Sequence, residues 1–264
     1  MNPTLSKIRI YPIKSLDPIE LSSVKIGKRS LLGDRKFAML NQFGSFINGK
    51  ATGLVNQLQT SFDDQIEYVT FNKRGSDEKA IFNLNTETDK IESFLSLFFN
   101  NKVSFVKNED GRLMDIPDES SVTVVAYETL QHLAVQLVDS EDTLRLRFRA
   151  NLEISNVPIY WEERLANEDS QIGVPFLVGD VKMIGKNLRA RCNVPPRNPL
   201  TGETDKTFIK RLIDSRKKNI PTWSHVQKLE SLYHLSVDIF IPDSEIGKQI
   251  KIGDVVELIN QEES

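Results

Sequence analysis

The chain has 264 residues, of which 34 are lysine or arginine and 37 are aspartate or glutamate, and its net charge is −3. With 39% hydrophobic and 27% charged residues, its composition excludes the collagen-like, disordered and disulfide-stapled classes. A slightly acidic chain gains little from neutralising phosphates, so no nucleic-acid partner is indicated, and any anion site must be a local concentration of arginine or lysine.

In the first part of the chain, alternating apolar residues predict several short strands. These strands are expected at residues 5–11, 36–40, 45–47 and 66–71. Residues 87–100 instead place apolar side chains at helical spacing and predict an amphipathic helix that packs on the core. A polar, proline-bearing stretch at residues 108–120 predicts a domain boundary, which we place between residues 117 and 118.

The second part continues the β-rich pattern with a few helices. Strands are expected at residues 122–125, 145–154, 176–183 and 250–258, and helices at residues 128–138 and 206–218. The last two strand segments each contain a Gly-Asp pair, at Gly179 and Gly253, and such a pair is typical of a tight corner in a β-barrel. The strands are spaced too irregularly for a Rossmann fold.

Arginines alternate along residues 145–154. On a strand, Arg145, Arg147, Arg149 and Asn151 would point to one face. This face has three interpretations: a solvated edge strand, an RNA-binding surface of a β-barrel, or a site for a small anion. The last is chemically apt because a guanidinium group binds phosphate or carboxylate at two points.

Three short connections carry further candidate residues. Lys14 and Ser15 follow the first strand, and Arg35 opens another after Asp34. Residues 187–203 contain the only cysteine, Cys192, among three arginines, and local positive charge lowers the pKa of a thiol. The alternatives are an inert, buried cysteine and a papain-like nucleophile, which would need one of the three histidines to lie nearby in the fold. A zinc site is not indicated, since no second cysteine is present.

Four of these segments, taken in order, resemble the MOSC family, which is named from the C-terminal domain of molybdenum cofactor sulfurase. They are YPIKS (11–15), GDRKFAML (33–40), RFRANLEI (147–154) and RARCNVPPRNPLTGE (189–203). The closing IKIGDVVELI is also similar, and the architecture resembles the mitochondrial amidoxime-reducing component and its bacterial homologues. The resemblance implies a mainly β (α+β) fold of two associated β-barrel-like domains with a few peripheral helices. These would be a MOSC-associated β-barrel domain (1–117) and a MOSC domain (118–264).

The resemblance further implies that molybdenum cofactor (molybdenum–molybdopterin) binds between the two domains. Cys192 would be the metal ligand. The cofactor-binding residues would be Lys14, Ser15, Arg35, Tyr127, Arg149, Asn151 and Arg191. The chain departs from the family where a Ser-Thr pair is common, since Ala126 and Tyr127 stand there, and where a serine often precedes the cysteine, since Ala190 stands there. We therefore expect a divergent branch of the family and carry over neither a particular substrate nor catalytic acid–base residues.

The activity implied is reduction of small molecules with N–O or S–O bonds, such as N-hydroxylated compounds. One cysteine excludes a fused plant-type ferredoxin domain, which needs four, so a separate flavin, haem or iron–sulfur protein would donate the electrons. The alternative within the family is a non-catalytic carrier that hands on the cofactor or a sulfurated form of it.

The cellular setting is also predicted from the sequence. A single cysteine cannot form an internal disulfide, and the first 18 residues lack the apolar core of a signal peptide. The longest apolar cluster, residues 94–99, is far shorter than the roughly 20 residues that span a membrane. We therefore expect a cytoplasmic protein with no membrane partner.

Overall fold

The computed structural model describes residues 2–28, 30–111, 113, 122–169 and 172–259 of the chain. Within these residues the fold is mainly β, as predicted. The strands are β1 (Thr4–Ile10), β2 (Ile19–Leu21), β3 (Ser23–Lys25), β4 (Phe37–Asn41), β5 (Leu58–Phe62), β6 (Tyr68–Lys73), β7 (Lys79–Asn83), β8 (Val103–Lys107), β9 (Val122–Ala126), β10 (Leu152–Ser155), β11 (Val174–Val178), β12 (Val181–Ala190), β13 (His234–Phe240), β14 (Gln249–Lys251) and β15 (Val256–Leu258). The helices are α1 (Thr88–Phe99), α2 (Tyr127–Leu137), α3 (Glu141–Phe148) and α4 (Phe208–Lys218).

The largest sheet joins the beginning of the chain to its second half. Its strand order is β15-β11-β12-β13-β9-β10-β1-β2, and β1 pairs antiparallel with β10 so that Thr4 lies opposite Ser155. Strand β3 likewise pairs with β14. Residues 117 and 118, between which the domain boundary is predicted, lie outside the described residues. The sheet pairing itself places the first three strands with the second half of the chain.

The remaining strands of the first half form a separate unit. Strands β4 and β8 pair, β5, β6 and β7 form a three-stranded sheet, and α1 packs on them. The helix is the one predicted at residues 87–100, and it buries Ile91, Leu95 and Phe99 against this core. The segment predicted as a strand at residues 45–47 makes only an isolated bridge from Phe46 to Leu40.

The arginine-bearing segment is not the predicted strand. Residues 141–148 form helix α3, and only residues 152–155 are extended. Local chemistry explains the difference: the hydroxyl of Ser140 accepts from the amide of Thr143 at 3.1 Å, which caps the first turn. Two acidic residues follow in that turn and arginines occupy the last, as the helix dipole favours. The arginine face that an RNA-binding surface would require therefore does not form.

The two predicted Gly-Asp corners have different outcomes. Gly179 lies between β11 and β12, which form an antiparallel hairpin. Gly253 has a positive φ of 94° and lies between β14 and β15, which belong to different sheets. The second corner therefore moves the chain from one sheet to another.

Beneath α2 and α4 lies a small buried cluster of charged groups. Glu162 and Glu163, in the single helical turn at Trp161–Leu165, are both buried. Glu163 forms an ion pair with the buried Arg216, and Glu162 accepts a hydrogen bond from the Thr129 hydroxyl at 3.0 Å. Burial raises the pKa of Glu162 to about 7.

We expect Glu162→Gln to flatten the pH dependence of stability. The pKa of Glu162 rises from an ordinary 4.5 to about 7 on folding, so the folded state binds more protons than the unfolded chain in that interval. The carboxyl group therefore costs the fold stability as pH rises from about 4.5 to about 7, by about 3 kcal/mol in all. Urea unfolding at pH 5 and pH 8 measures this. Glu230→Gln, at an exposed position, is the control. If the free energy of unfolding changes between pH 5 and pH 8 as much in the Glu162 variant as in the wild type, the expectation is contradicted.

Candidate functional site

A cavity of about 440 Å³ lies where segments from both halves of the chain meet. This volume is within the usual range for small-molecule sites. Seven of the eight residues predicted to bind a cofactor or metal line it: Lys14, Ser15, Arg35, Arg149, Asn151, Arg191 and Cys192. The structure thus brings together residues that lie up to 178 positions apart in the sequence.

Tyr127, the eighth predicted residue, is not among the described residues that line the cavity. It begins α2, and the guanidinium of Arg145 lies over its ring, 5.6 Å from the centroid. A hydrogen bond to the Glu141 carboxylate raises the pKa of Tyr127. The structure therefore places the Tyr127 side chain against α3 and not with the other seven predicted residues.

Three of the cavity residues have a left-handed backbone that is unusual outside glycine. The φ angles are 74° at Ser15, 47° at Arg35 and 56° at Arg149, and Arg149 ends α3 in this conformation. Such conformations cost of order 1 kcal/mol each and persist where the surrounding structure determines them. Each marks a point where the chain turns sharply at the cavity wall.

A hydrogen-bonded network fixes Arg35. The fully buried Asp34 accepts from Arg35 Nη1 at 2.5 Å and from the amide of Tyr11 at 2.8 Å. The guanidinium groups of Arg35 and Arg149 lie over the Tyr11 ring, 4.5 and 4.0 Å from its centroid. The two arginines are therefore gathered around one aromatic ring at the end of β1.

The side chain of Asn151 is held at the cavity by three hydrogen bonds within the protein. Its Nδ2 donates to the carbonyl of Arg9 at 3.0 Å, and its Oδ1 accepts from Arg35 Nη1 at 3.0 Å and from the amide of Thr123 at 3.3 Å. The side-chain amide is thus engaged with β1, β9 and Arg35. Asn151, which also lines the cavity, therefore holds Arg35 in place.

Asn151→Ala is accordingly expected to destabilise the protein by about 2 to 3 kcal/mol, because removing the amide takes a hydrogen-bond partner from two buried backbone groups and one of two partners from Arg35. Urea unfolding of the metal-free protein measures the loss. Asn72→Ala is the control, since Asn72 makes its side-chain hydrogen bonds on the exposed surface, and we expect a change within about 0.5 kcal/mol there. Equal effects for the two variants would show that the network contributes nothing.

Most cavity arginines have a carboxylate partner. The ion pairs are Arg35–Asp34, Arg74–Asp17, Arg147–Asp139 and Arg189–Asp238. Arg149 and Arg191 differ, because no carboxylate of the described residues forms an ion pair with either. Arg149 Nη2 donates to the Leu16 carbonyl at 2.8 Å, and Arg191 Nη2 to the Phe148 carbonyl at 2.7 Å.

The electrostatics of these two arginines favour an anionic ligand. Burial lowers the pKa of Arg149, and burial together with the charge of Arg189 lowers the pKa of Arg191 to about 10. A buried cation without a counter-charge is costly, and an anion bound in the cavity would compensate it. Around the described part of the cavity, eight cationic side chains face only two carboxylates, in a chain whose net charge is −3.

Several of these charged groups were missed by the sequence analysis. Arg74 and Asp17 form one ion pair at the wall of the cavity, Arg189 and Asp238 form another, and Lys50 also lines it. Arg189 was noted only as one of the arginines near Cys192, and the other four residues belong to no recognised group of candidate residues. No pattern of spacing marks them, because only the fold brings them together.

Cys192 is exposed and lines the cavity. The hydroxyl of Tyr233 donates to its carbonyl oxygen at 3.2 Å. In the part of the chain that the structure describes, no cluster of three or more histidine, cysteine, aspartate and glutamate side chains is arranged to hold a metal ion.

Comparisons with known proteins bear on the first half of the chain. Residues 2–116 match the family model of the MOSC N-terminal beta barrel domain. No curated protein matches the chain. Among solved structures, the YuaD protein from Bacillus subtilis is similar at a TM-score of 0.41 and 9% sequence identity, over 97% of this chain and 95% of that one. None of the helices within the described residues is long and apolar enough to cross a membrane.

Proposed function

Because residues 2–116 match the family model of the MOSC N-terminal beta barrel domain, we propose that the chain binds molybdenum cofactor in its central cavity and reduces small N-oxygenated or S-oxygenated molecules. The observation that carries this proposal is the meeting of Arg149, Arg191 and Cys192 in one cavity. Two arginines without a carboxylate partner among the described residues suit the phosphate of a pterin, and an exposed thiol suits a soft metal.

The residues present fit this cofactor in charge and in donor type. Arg149, with Lys14 and Ser15 in the adjacent connection, would hold the phosphate, and Arg35 would support them from its network with Asp34. Cys192 would supply the protein's ligand to molybdenum as a thiolate. When bound, the molybdenum centre supplies two-electron redox chemistry, while the chain provides binding and orientation.

The reaction proposed is removal of one oxygen atom from the substrate. Two electrons and two protons enter, the N–O or S–O bond breaks, and water leaves. We propose that a separate flavin, haem or iron–sulfur protein supplies the electrons, because one cysteine cannot hold an iron–sulfur cluster. We further propose that the protein is cytoplasmic. We also propose that its two domains meet between residues 117 and 118.

Metal analysis of protein purified from a host that makes the cofactor tests the proposal. We expect close to one molybdenum and one pterin for each chain, and consumption of a benzamidoxime when a reductase and its electron source are added. Protein that carries neither molybdenum nor pterin would overturn cofactor binding. Protein that carries both without turnover of amidoxime, N-oxide or sulfoxide probes would overturn the reductase and identify a carrier.

A further inference from the structure

The segment that carries Cys192 has little regular structure of its own. Residues 191–207, all of which the structure describes, form neither a helix nor a strand of a sheet. We call this segment the cysteine loop. Its backbone is held by internal turns and by a hydrogen bond from the Arg191 amide to the Tyr233 carbonyl at 3.0 Å, and side-chain contacts to the loop supply the rest of what positions the thiol. One of them is the Tyr233 hydroxyl on the Cys192 carbonyl.

Arg147 makes two of the shortest contacts to the cysteine loop. Its Nη1 donates to the carbonyl oxygens of Pro195 and Arg197, both at 2.7 Å. The side chain is buried, at 8% exposure, and its guanidinium lies over the Phe208 ring, 4.9 Å from the centroid. The last turn of α3 is thus joined to the loop three and five residues beyond Cys192.

The same guanidinium is already neutralised. Arg147 Nε donates to Asp139 Oδ2 at 2.9 Å, so its charge is balanced within the protein. This separates Arg147 from Arg149, two residues later, which has no such partner among the described residues. The planar guanidinium presents its Nε and Nη1 donors in fixed directions, and the single ammonium group of lysine cannot reproduce both.

On the far side, the loop is joined to the first half of the chain. Arg197 Nε donates to the Gly49 carbonyl at 2.7 Å, and a Cβ atom at Gly49 would lie 3.2 Å from a methyl group of Val194. The cysteine loop is therefore held between α3 on one side and residue 49 on the other. Arg147 is the buried member of this pair of anchors.

We infer that Arg147 is a positioning residue for Cys192, which holds the thiol at the cavity by fixing the carbonyls of the cysteine loop. The effect on cofactor retention rests on the proposed function. The effect on the thiol does not, because it is a property of the metal-free protein. The two can therefore be tested apart.

The experiment compares Arg147→Lys with two matched controls, in metal-free protein. Asp139→Asn removes the ion pair but leaves the carbonyl contacts, and Arg145→Lys changes an arginine of the same helix that pairs with Glu153 and Asp142 away from the loop. Because Cys192 is the only cysteine, the rate of reaction with a disulfide reagent such as DTNB reports on this thiol alone. Amide hydrogen exchange of residues 192–202 is the second readout.

We expect Arg147→Lys to change the thiol reaction rate at least threefold and to speed exchange in the cysteine loop, while both controls stay within a factor of 1.5. A merely structural role would lower the thermal midpoint in Asp139→Asn and Arg147→Lys alike without altering the thiol. If Arg147→Lys does not fold, Arg147→Gln serves, since its amide nitrogen takes the place of Nε, can still donate to Asp139, and ends two bonds short of the Nη1 position that contacts the carbonyls.

Wild-type thiol rate and exchange in the Arg147 variant would overturn the inference, as would an equal change in Asp139→Asn. In protein from a cofactor-competent host, we expect less molybdenum in the Arg147 variant than in Arg145→Lys. Altered thiol reactivity with no molybdenum in any of the proteins, the wild type included, would sustain the positioning role and contradict the proposed function instead.

Discussion

Replacing Cys192 with serine is expected to remove nearly all molybdenum and reductase activity from the protein while the fold survives. Serine has almost the same volume, and Cys192 is exposed, so the loss of stability should stay below about 1 kcal/mol. The hydroxyl is a harder donor than a thiolate and remains protonated at neutral pH, so it is a poor ligand for molybdenum. Molybdenum content, amidoxime turnover and thermal unfolding measure the three effects.

Asn193→Ser is the control for this experiment. It changes the next residue of the cysteine loop, which is exposed and is not among the described residues that line the cavity. We expect normal molybdenum and activity in this variant. Unchanged metal and turnover in Cys192→Ser would show that the thiol is not a ligand.

Arg149→Ala is expected to lower cofactor retention by about tenfold to a hundredfold, since a charge-assisted hydrogen bond to phosphate contributes about 1.5 to 3 kcal/mol. Its effect on the metal-free protein should be small, within about 1 kcal/mol, because the variant also removes a cation that has no carboxylate partner in the described structure. Pterin and molybdenum for each chain after gel filtration, with urea unfolding of the metal-free form, give the two quantities.

Arg145→Ala should show the opposite pattern. Arg145 Nε and Nη2 bind both carboxylate oxygens of the buried Glu153, at 2.8 and 2.9 Å, so its loss leaves a buried carboxylate without its cation. We expect a destabilisation of about 3 kcal/mol and normal cofactor for each folded chain. Equal retention of cofactor by the Arg145 and Arg149 variants would contradict the assignment of Arg149 to the phosphate.

The structure gathers seven of the eight predicted site residues in one cavity even where the local structure was wrongly predicted. Arg149 and Asn151 were expected on one strand face, yet Arg149 ends a helix and Asn151 lies beyond it. They reach the same cavity because the chain reverses at Arg149, a turn that a pattern of alternating residues cannot indicate. The alternation of arginines concealed the stronger local signal, which was the capping Ser140 followed by acidic residues.

Contacts between distant segments mark the limit of what the sequence could predict. The ion pairs Arg74–Asp17 and Arg189–Asp238 join residues 57 and 49 positions apart. Similarly, a single strand such as β1 can be recognised from its own residues, but the pairing of β1 with β10 and of β3 with β14 depends on the whole fold. Pairing between distant strands produces no periodic pattern in the sequence.

The pairing of β1 with β10 has a consequence for how the protein acquires its site. About 150 residues must be synthesised before β1 can meet its partner, and closing so long a loop is entropically slow. Lys14 and Ser15 follow directly on β1, and Arg149 and Asn151, which line the same cavity, directly precede β10. Pairing of β1 with β10 therefore brings these two groups of residues together in one step. A ligand that contacts both groups binds only chains in which this pairing has formed, so it favours them over chains in which β1 is still unpaired.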